Sequence, residues 1–415
     1  MIVASIDLMD GKAVQLRQGS EKVLDRDDPL DLASEFDRFG EVAIIDLDAA
    51  LGKGDNRELI KSLLKRADCR LGGGIKTVAE AREWVSLGAK KIIIGSLAFE
   101  NDQLNRDFLT ELGAAIGRER VIVAVDSRNR EIVTRGWRHR TGLDLLESAA
   151  QLNDLAGGLL FTCVEREGTM EGIDPEQVRD LLAVCRVPVT VAGGVRSVAE
   201  IEQLSALGVD IQLGMALYTG EVDLAEGFIA ALNWKEDLLP AIIQDPAGQV
   251  LMLGYVNADS LRHTFATGKM TFFSRSRQKL WTKGETSGHF QMVQRLRADC
   301  DRDTLLVTVA QQHVACHTGW YSCFGEQRFA LENLQSTIME RFENAPPDSY
   351  TARLKSGDLV YEKILEEAGE VVEAREREHI IWEAADVLYF VTALLSREGI
   401  AIDEVFGELR RRRLK

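Results

Sequence analysis

Two aspartates stand at the ends of similar β-branched runs. Asp7 lies in VASIDLMDGKAVQLRQG and Asp126 in VAVDSRNREIVTRGW, at an offset of 119 residues. Two carboxylates facing each other across a pocket can divide acid and base roles when their surroundings separate the pKa values. One such aspartate alone reads as readily as the cap of its following turn; it is the repetition that favours a pair. Glycine-rich turns repeat in step with them: Gly73 and Gly74 in GGGIK, Gly95 with Ser96 in IGS, Gly193 and Gly194 in AGGVR, and Gly214 in LGM. Glycine lets backbone N–H groups approach a phosphate with a helix N-terminus behind them. Two equivalent sets predict a ligand with a phosphate at each end.

A second group lies in RADCDRDTLLVTV. Read as a strand, its period of two puts Asp299, Asp301 and Asp303 on one face and Cys300 on the other. Three such carboxylates repel one another unless a hard cation such as Mg2+ sits among them. Cys300, Cys316 and Cys323 offer soft ligands, with His317 adjacent as a candidate catalytic group. Three protein ligands on Zn2+ leave a position for an activated water. Buried thiols and a solvated acidic turn would explain either set taken alone. FFSRSRQKLWTKGETSGHFQ adds Arg275, Arg277 and Lys283, either a grip for phosphate and ribose or an ordinary basic hairpin.

The third group is acidic. YEKILEEAGEVVEA places Glu366, Glu367 and Glu370 on one side of a predicted helix, and IIWEAADVLYFVTALL places Glu383 and Asp386 at i, i+3 on the next. Like charges so spaced cost roughly a few tenths of a kcal/mol each in a bare helix. Embedded among Ile, Leu, Val and Ala they call for a reason, and Mg2+ bridging to a pyrophosphate is one. A solvated helix face is the plainer account of any single member.

These groups need a frame. The chain has 415 residues, enough for two to four domains at roughly 100–200 residues each. GGIKTVAEAREWVSLG (73–88) and GGVRSVAEIEQLSALG (193–208) are identical at seven of sixteen positions, so the first part reads as two halves of about 120 residues. Apolar runs such as EVAIIDLD, KKIIIG and VPVTVAGG alternate with helical stretches, as in a parallel sheet covered on both faces. Eight units in two similar halves predict a (β/α)8 barrel, whose chemistry sits at the carboxyl ends of the strands. Beyond Asn233, short strand-like runs predict a small α+β domain over 234–330. From Leu331 the chain is helical, interrupted by a loop at 344–350, and ELRRRRLK reads as a solvated helix end.

Composition is globular, with 45% hydrophobic and 28% charged residues. A net charge of −16 leaves no broad basic surface for nucleic acid and repels anionic membranes. The N-terminus lacks a signal-peptide pattern, and no apolar stretch approaches the roughly 20 residues that span a bilayer. Six cysteines make no disulfide framework, so a reduced cytoplasm is expected.

IDLMDGKAVQLRQG, DLDAALGKGDNRELI, LGGGIK, VAVDSRNREIVTRGW and VAGGVRS together resemble the histidine-biosynthesis barrel isomerase family, which acts on phosphoribosylformimino-aminoimidazole-carboxamide ribotide. The likeness covers 1–233 and implies Asp7 as general base on the aminoaldose and Asp126 as the acid that opens the ribose ring. That family often has an acidic residue where Cys163 stands, and more often Arg than Lys76. SRSR, LWTKGETSGH, DCDRD and ACHTGWYSCF resemble phosphoribosyl-AMP cyclohydrolase over 234–330. This implies Mg2+ at Asp299, Asp301 and Asp303 and Zn2+ at Cys300, Cys316 and Cys323, with the zinc site assembled from two chains and hence a homodimer. QQHVACHTG and FFSRSR depart from that family's commoner forms. EExxE followed by ExxD is similar to the all-α pyrophosphohydrolases, here that of phosphoribosyl-ATP, over 331–415. The resemblances imply three consecutive steps on phosphorylated ribotides, encoded in reverse order. Other readings of the barrel are the sister cyclase, an isomerase that also takes the tryptophan-pathway analogue, and a non-catalytic scaffold. The GW motif and IDL opening argue against the cyclase, and the paired aspartates against the scaffold.

Overall fold

Runs of Val, Ile and Leu that are apolar at nearly every position form strands only where both faces are covered. Eight of them do so in the computed structural model, which describes residues 1–413 except 20, 345, 347 and 348. Three residues of the predicted loop at 344–350 and the last two of ELRRRRLK lie outside the described residues. The strands are β1 (Ile2–Met9), β2 (Val42–Asp46), β3 (Cys69–Gly72), β4 (Lys91–Ile94), β5 (Val121–Arg128), β6 (Gly158–Cys163), β7 (Val189–Ala192) and β8 (Asp210–Leu213). All pair in parallel with their sequence neighbours, and β1 pairs with β8 through Ile2 opposite Ile211, which closes the ring as a (β/α)8 barrel.

The duplication in sequence is a duplication in structure. Helices α2 (Val78–Ser86) and α3 (Val198–Ala206) follow the two double-glycine turns. Thr77 and Ser197 cap them by accepting from the N–H of Glu80 and Glu200, at 3.1 and 3.3 Å. The same glutamates accept in return from the N–H of Lys76 and Arg196. Each helix start is thus satisfied by its own side chains.

Inside the ring Ile93, Ile122, Leu160 and Ala192 make an apolar layer. Nearer the amino ends of the strands an ionic group replaces it. Arg70, 6% exposed, pairs with Glu41, donates to Thr190 Oγ1 at 2.8 Å and reaches Asp210 at 3.3 Å. Lys91 also binds Glu41, at 2.9 Å.

The residues divide into two compact units, Met1–Phe324 and Gly325–Lys415, so the barrel and the middle segment form one. The middle sheet has strands β9 (Leu239–Gln244), β10 (Val250–Val256), β11 (Gln291–Ala298) and β12 (Leu305–Gln311) in the order β10-β9-β12-β11. It docks on the amino-terminal end of the barrel. Arg295 and Arg297 of β11 bind Asp37 at 2.5 and 2.8 Å and Asp68 at 3.2 and 3.3 Å. Phe39 and Phe228 of the barrel meet Phe265, with ring centroids 5.0 and 5.9 Å away. Residues 299–304 correct the strand reading: they form the turn between β11 and β12. The Asp299 carboxylate accepts from the N–H groups of Asp303 and Thr304, a local bond that competes with a sheet ladder.

The second unit is helical: α6 (Leu331–Asn344), α7 (Leu359–Glu373), α8 (Arg377–Arg397) and α9 (Ile402–Arg413), with a short helix at Tyr350–Leu354. Ile338, Leu354, Val360, Phe390 and Ala393 form its core. Contrary to the expectation from sequence, α8 is by length and composition apolar enough to cross a membrane. Of its apolar side chains Phe390 and Ala393 are buried in this core while Ile380, Ile381, Trp382 and Leu388 are exposed, and it also carries Glu383 and Asp386.

Gly73 has φ +96°, and a Cβ there would lie 2.2 Å from the carbonyl oxygen of Asp46. Gly95 faces open space without a left-handed backbone. Calorimetry of Gly73→Ala should therefore show a loss of about 2 kcal/mol or more, whereas Gly95→Ala should stay within about 0.5–1 kcal/mol of the parent. Equal losses would mean that strand-end backbone crowding does not decide the difference.

Candidate functional site

Closing the ring brings the carboxyl ends of the strands around a cavity of about 520 Å³. Asp7 enters it from β1 and Asp126 from β5. Asp7 accepts from Ser5 Oγ at 2.8 Å; burial outweighs that bond and pushes its carboxyl up to about 6. Asp126 accepts from Trp137 Nε1 at 2.8 Å and from Thr162, and burial again pushes it up. Both side chains open onto the cavity while protein crowds their other sides.

A third carboxyl joins them. Glu167, in the loop after β6, lines the same cavity, and burial followed by the charges of Asp7 and Asp126 pushes it up to about 8. At neutral pH the cavity thus holds an ionised Asp7 beside a protonated Glu167. The separation of charge states comes from crowding three acids into one poorly hydrated space. Sequence reading missed Glu167, although an acidic residue just past a strand end, in FTCVEREGT, was the available signal. Cys163 is buried and lines none of the cavity; burial raises its thiol to about 11.

Gly73, Gly74, Gly95, Ser96, Gly193, Gly194 and Gly214 all line the cavity, as does Lys76. The double glycines have φ between +70° and +96°, and the turns press against neighbouring backbone: a Cβ on Gly193 would lie 2.8 Å from Cys163 O. The Ser96 hydroxyl is engaged, accepting from the N–H of Arg135 at 2.7 Å. That bond ties down the segment carrying Trp137, whose ring lies against Gly19. Gln15 Nε2 and Gln212 Oε1, on residues lining this cavity, are buried without a partner. Orphaned polar atoms in a cavity are places for a polar ligand.

In the middle sheet the acidic side chains converge and the thiols do not all meet. One carboxylate oxygen from each of Asp299, Asp301 and Asp303 lies within 4.8 Å of the others. Lys235 sits beside them, 2.6 Å from Asp303 and 3.6 Å from Asp301. Cys316 and Cys323 are hydrogen-bonded to each other, and Cys316 also meets Thr318 Oγ1 at 3.0 Å. Burial lowers the Lys283 pKa, and the charges of both thiols oppose that shift. Cys300, on the acidic turn, forms no compact group with these two sulfurs among the described residues. His317 is exposed beside Cys316. Arg275 stacks on Tyr255 at 3.8 Å, and Arg277 lies over Trp281.

In the helical unit one oxygen from each of Glu367, Glu383 and Asp386 lies within 4.8 Å of the others, with Glu367 and Glu383 buried. Glu370 is bonded to Glu383, which pushes its carboxyl up. Glu366 stands outside this cluster, exposed and bound to Lys363 at 2.7 Å. Lys363 and His379 reach Glu367 and Glu383 at 3.1 and 2.9 Å, so basic side chains already approach the buried acids. A hard cation suits oxygen sets of this kind.

A carboxyl raised to about 8 stabilises the fold fully below the unfolded value near ~4.3 and loses that contribution as pH rises through about 8. Glu167→Gln removes this titration. Its thermal midpoint should fall less between about pH 5 and about pH 8 than that of the parent chain. Parallel losses in the two proteins would show that Glu167 carries no such shift.

Three family models match successive parts of the chain. The family model described as histidine biosynthesis protein matches residues 1–223, that of phosphoribosyl-AMP cyclohydrolase residues 252–325, and that of phosphoribosyl-ATP pyrophosphohydrolase residues 331–413. A phosphoribosyl imidazole-4-carboxamide isomerase of Methanosphaera stadtmanae is 35% identical over 235 residues, 54% of this chain and 97% of the relative. The histidine biosynthesis bifunctional protein HisIE of Bacillus subtilis is 44% identical over 197 residues, 44% of this chain and 94% of the relative. HisIE of Pyrococcus furiosus is 42% identical over 205 residues, 45% of this chain and 98% of the relative. The chain belongs to the histidine biosynthesis protein family through its barrel and, with a cyclohydrolase and a pyrophosphohydrolase domain following in order, is a multifunctional enzyme of histidine biosynthesis.

Proposed function

We propose that residues 331–415 release pyrophosphate from phosphoribosyl-ATP, residues 234–330 open the adenine ring of the phosphoribosyl-AMP produced, and residues 1–233 isomerise the resulting aminoaldose to the aminoketose. The observation that carries the last assignment is the meeting of Asp7, Asp126 and both pairs of glycine turns in one cavity. A ligand with a phosphate at each end can span those turns, its reacting ribose held between the carboxyls. Asp126, whose hold on a proton is strengthened by burial, gives that proton to the ribose ring oxygen as the ring opens. Asp7, ionised above about 6, takes the proton from the adjacent sugar carbon. Glu167 holds a proton between them and limits the negative charge that the opening sugar meets. The Trp137 indole orients Asp126 through its N–H bond.

For the hydrolases, Mg2+ fits Asp299, Asp301 and Asp303, and a second Mg2+ fits Glu367, Glu383 and Asp386, with Glu370 bonded to Glu383 beside them and Glu366 outside the set. Cys316 and Cys323 supply two ligands for Zn2+, and a homodimer in which another chain presents Cys300 supplies the third. Bound there, zinc would provide an activated water and magnesium would neutralise phosphate charge. His317 stands beside the thiols to move a proton, and Arg275, Arg277 and Lys283 supply cations for phosphate. Six free thiols suit a reducing cytoplasm.

The test is to incubate the chain with phosphoribosyl-ATP, Mg2+ and Zn2+ and to separate products over time. The ribulosyl product should form. Asp126→Asn should lower the isomerisation rate by about 10²–10⁴-fold, so that the unisomerised ribotide accumulates while pyrophosphate release is unchanged. Glu383→Gln should block pyrophosphate release and leave turnover of added phosphoribosyl-AMP intact. An Asp126→Asn chain that isomerises normally would remove the barrel assignment.

A further inference from the structure

The turn that carries Asp299, Asp301 and Asp303 is held from outside its own sheet. Arg302, within it, is 9% exposed and has a left-handed backbone, φ +65°. An L side chain keeps that conformation only where its surroundings enforce it. The guanidinium reaches into the amino-terminal end of the barrel. Its Nη1 donates to the Ser205 carbonyl at 3.3 Å, and its Nη2 to those of Gly208 at 3.0 Å and Val209 at 2.9 Å. Asp210 Oδ1 lies 3.7 Å away. Ser205 is in the last turn of α3 and Gly208 just beyond it, where unpaired carbonyls and the helix dipole favour a cation. The segment leaving the barrel grips the same turn: the Asn233 N–H donates to Arg302 O at 2.9 Å, and the Asn233 side-chain amide to Asp301 O at 3.1 Å.

We propose that Arg302 is a positioning residue for the divalent-cation site of the middle domain, and that the barrel thereby sets that site's affinity. The inference rests on the reading of Asp299, Asp301 and Asp303 as cation ligands. Three carboxylates within 4.8 Å repel one another, an effect that the single charge of Lys235 beside Asp301 and Asp303 offsets only in part. Anchoring the backbone among them to a rigid barrel holds the oxygens together before a cation arrives. Without Arg302 the turn relaxes from its left-handed residue, the carboxylates separate and affinity falls. The isomerase cavity, at the other end of the strands, is unaffected.

Mn2+ serves as the probe, read by its paramagnetic resonance signal on the full chain. The difference between the parent and an Asp299→Asn/Asp301→Asn/Asp303→Asn variant defines the turn's site and separates it from the acids of the helical unit. Arg302→Met should weaken Mn2+ at that site by about 10–100-fold while isomerase turnover stays at the parent rate. Arg302→Lys keeps one cation but spans fewer of the three carbonyls, so it should fall between; if the Met variant does not fold, the Lys variant carries the same test. Unchanged Mn2+ affinity overturns the role of Arg302 and leaves the site standing. Equal Mn2+ binding by the parent and the triple variant overturns both.

Discussion

Closure of eight parallel strands into a ring is the constraint from which the rest follows. Once β1 pairs with β8, side chains at the strands' carboxyl ends converge on one volume. The apolar layer of Ile93, Ile122, Leu160 and Ala192 forms its floor beneath the acids. Burial raises Asp7, Asp126 and Glu167, and the charges of the two aspartates raise Glu167 further. Closure also dictates the glycines: where adjacent loops crowd at the rim, Gly73 and Gly193 press on the backbone next door and a Cβ has no room.

The opposite end of the barrel does different work. Arg70 and Arg302 share Asp210, one from inside the ring and one from the middle domain. Arg295 and Arg297 join Asp37 and Asp68 nearby. Shared carboxylates that are buried, like Asp37, or half-buried, like Asp68 and Asp210, fix geometry more than they add stability, since desolvation offsets much of the attraction. The carboxyl ends hold chemistry and the amino ends hold assembly, a separation that parallel strands make available because all point the same way.

The barrel was legible because its evidence is redundant: apolar runs, double glycines and a repeat at an offset of 120 residues all point to one architecture. Asp7 and Asp126 were legible through that repeat. Glu167 has no repeat partner to mark it, and a single acidic residue in a loop looks like any other. The strand reading of 299–304 was wrong because period two fits short alternating sequences that Asx bonding turns instead. Spacing along a helix grouped Glu366 with Glu367, yet the fold turns Glu366 outward to Lys363. Chain separation likewise does not tell whether three cysteines meet; here Cys316 and Cys323 do, and Cys300 stays on its turn.

The middle domain's place on the barrel fixes how material travels. The barrel is filled along its axis, first by apolar side chains and then by the Arg70 ion group. No ribotide passes through it from the acidic turn to the cavity mouth. Any route between the two sites runs around the barrel rather than along its axis. What joining the two domains secures is equal copy number: every cyclohydrolase made arrives with one isomerase, at a ratio fixed by translation.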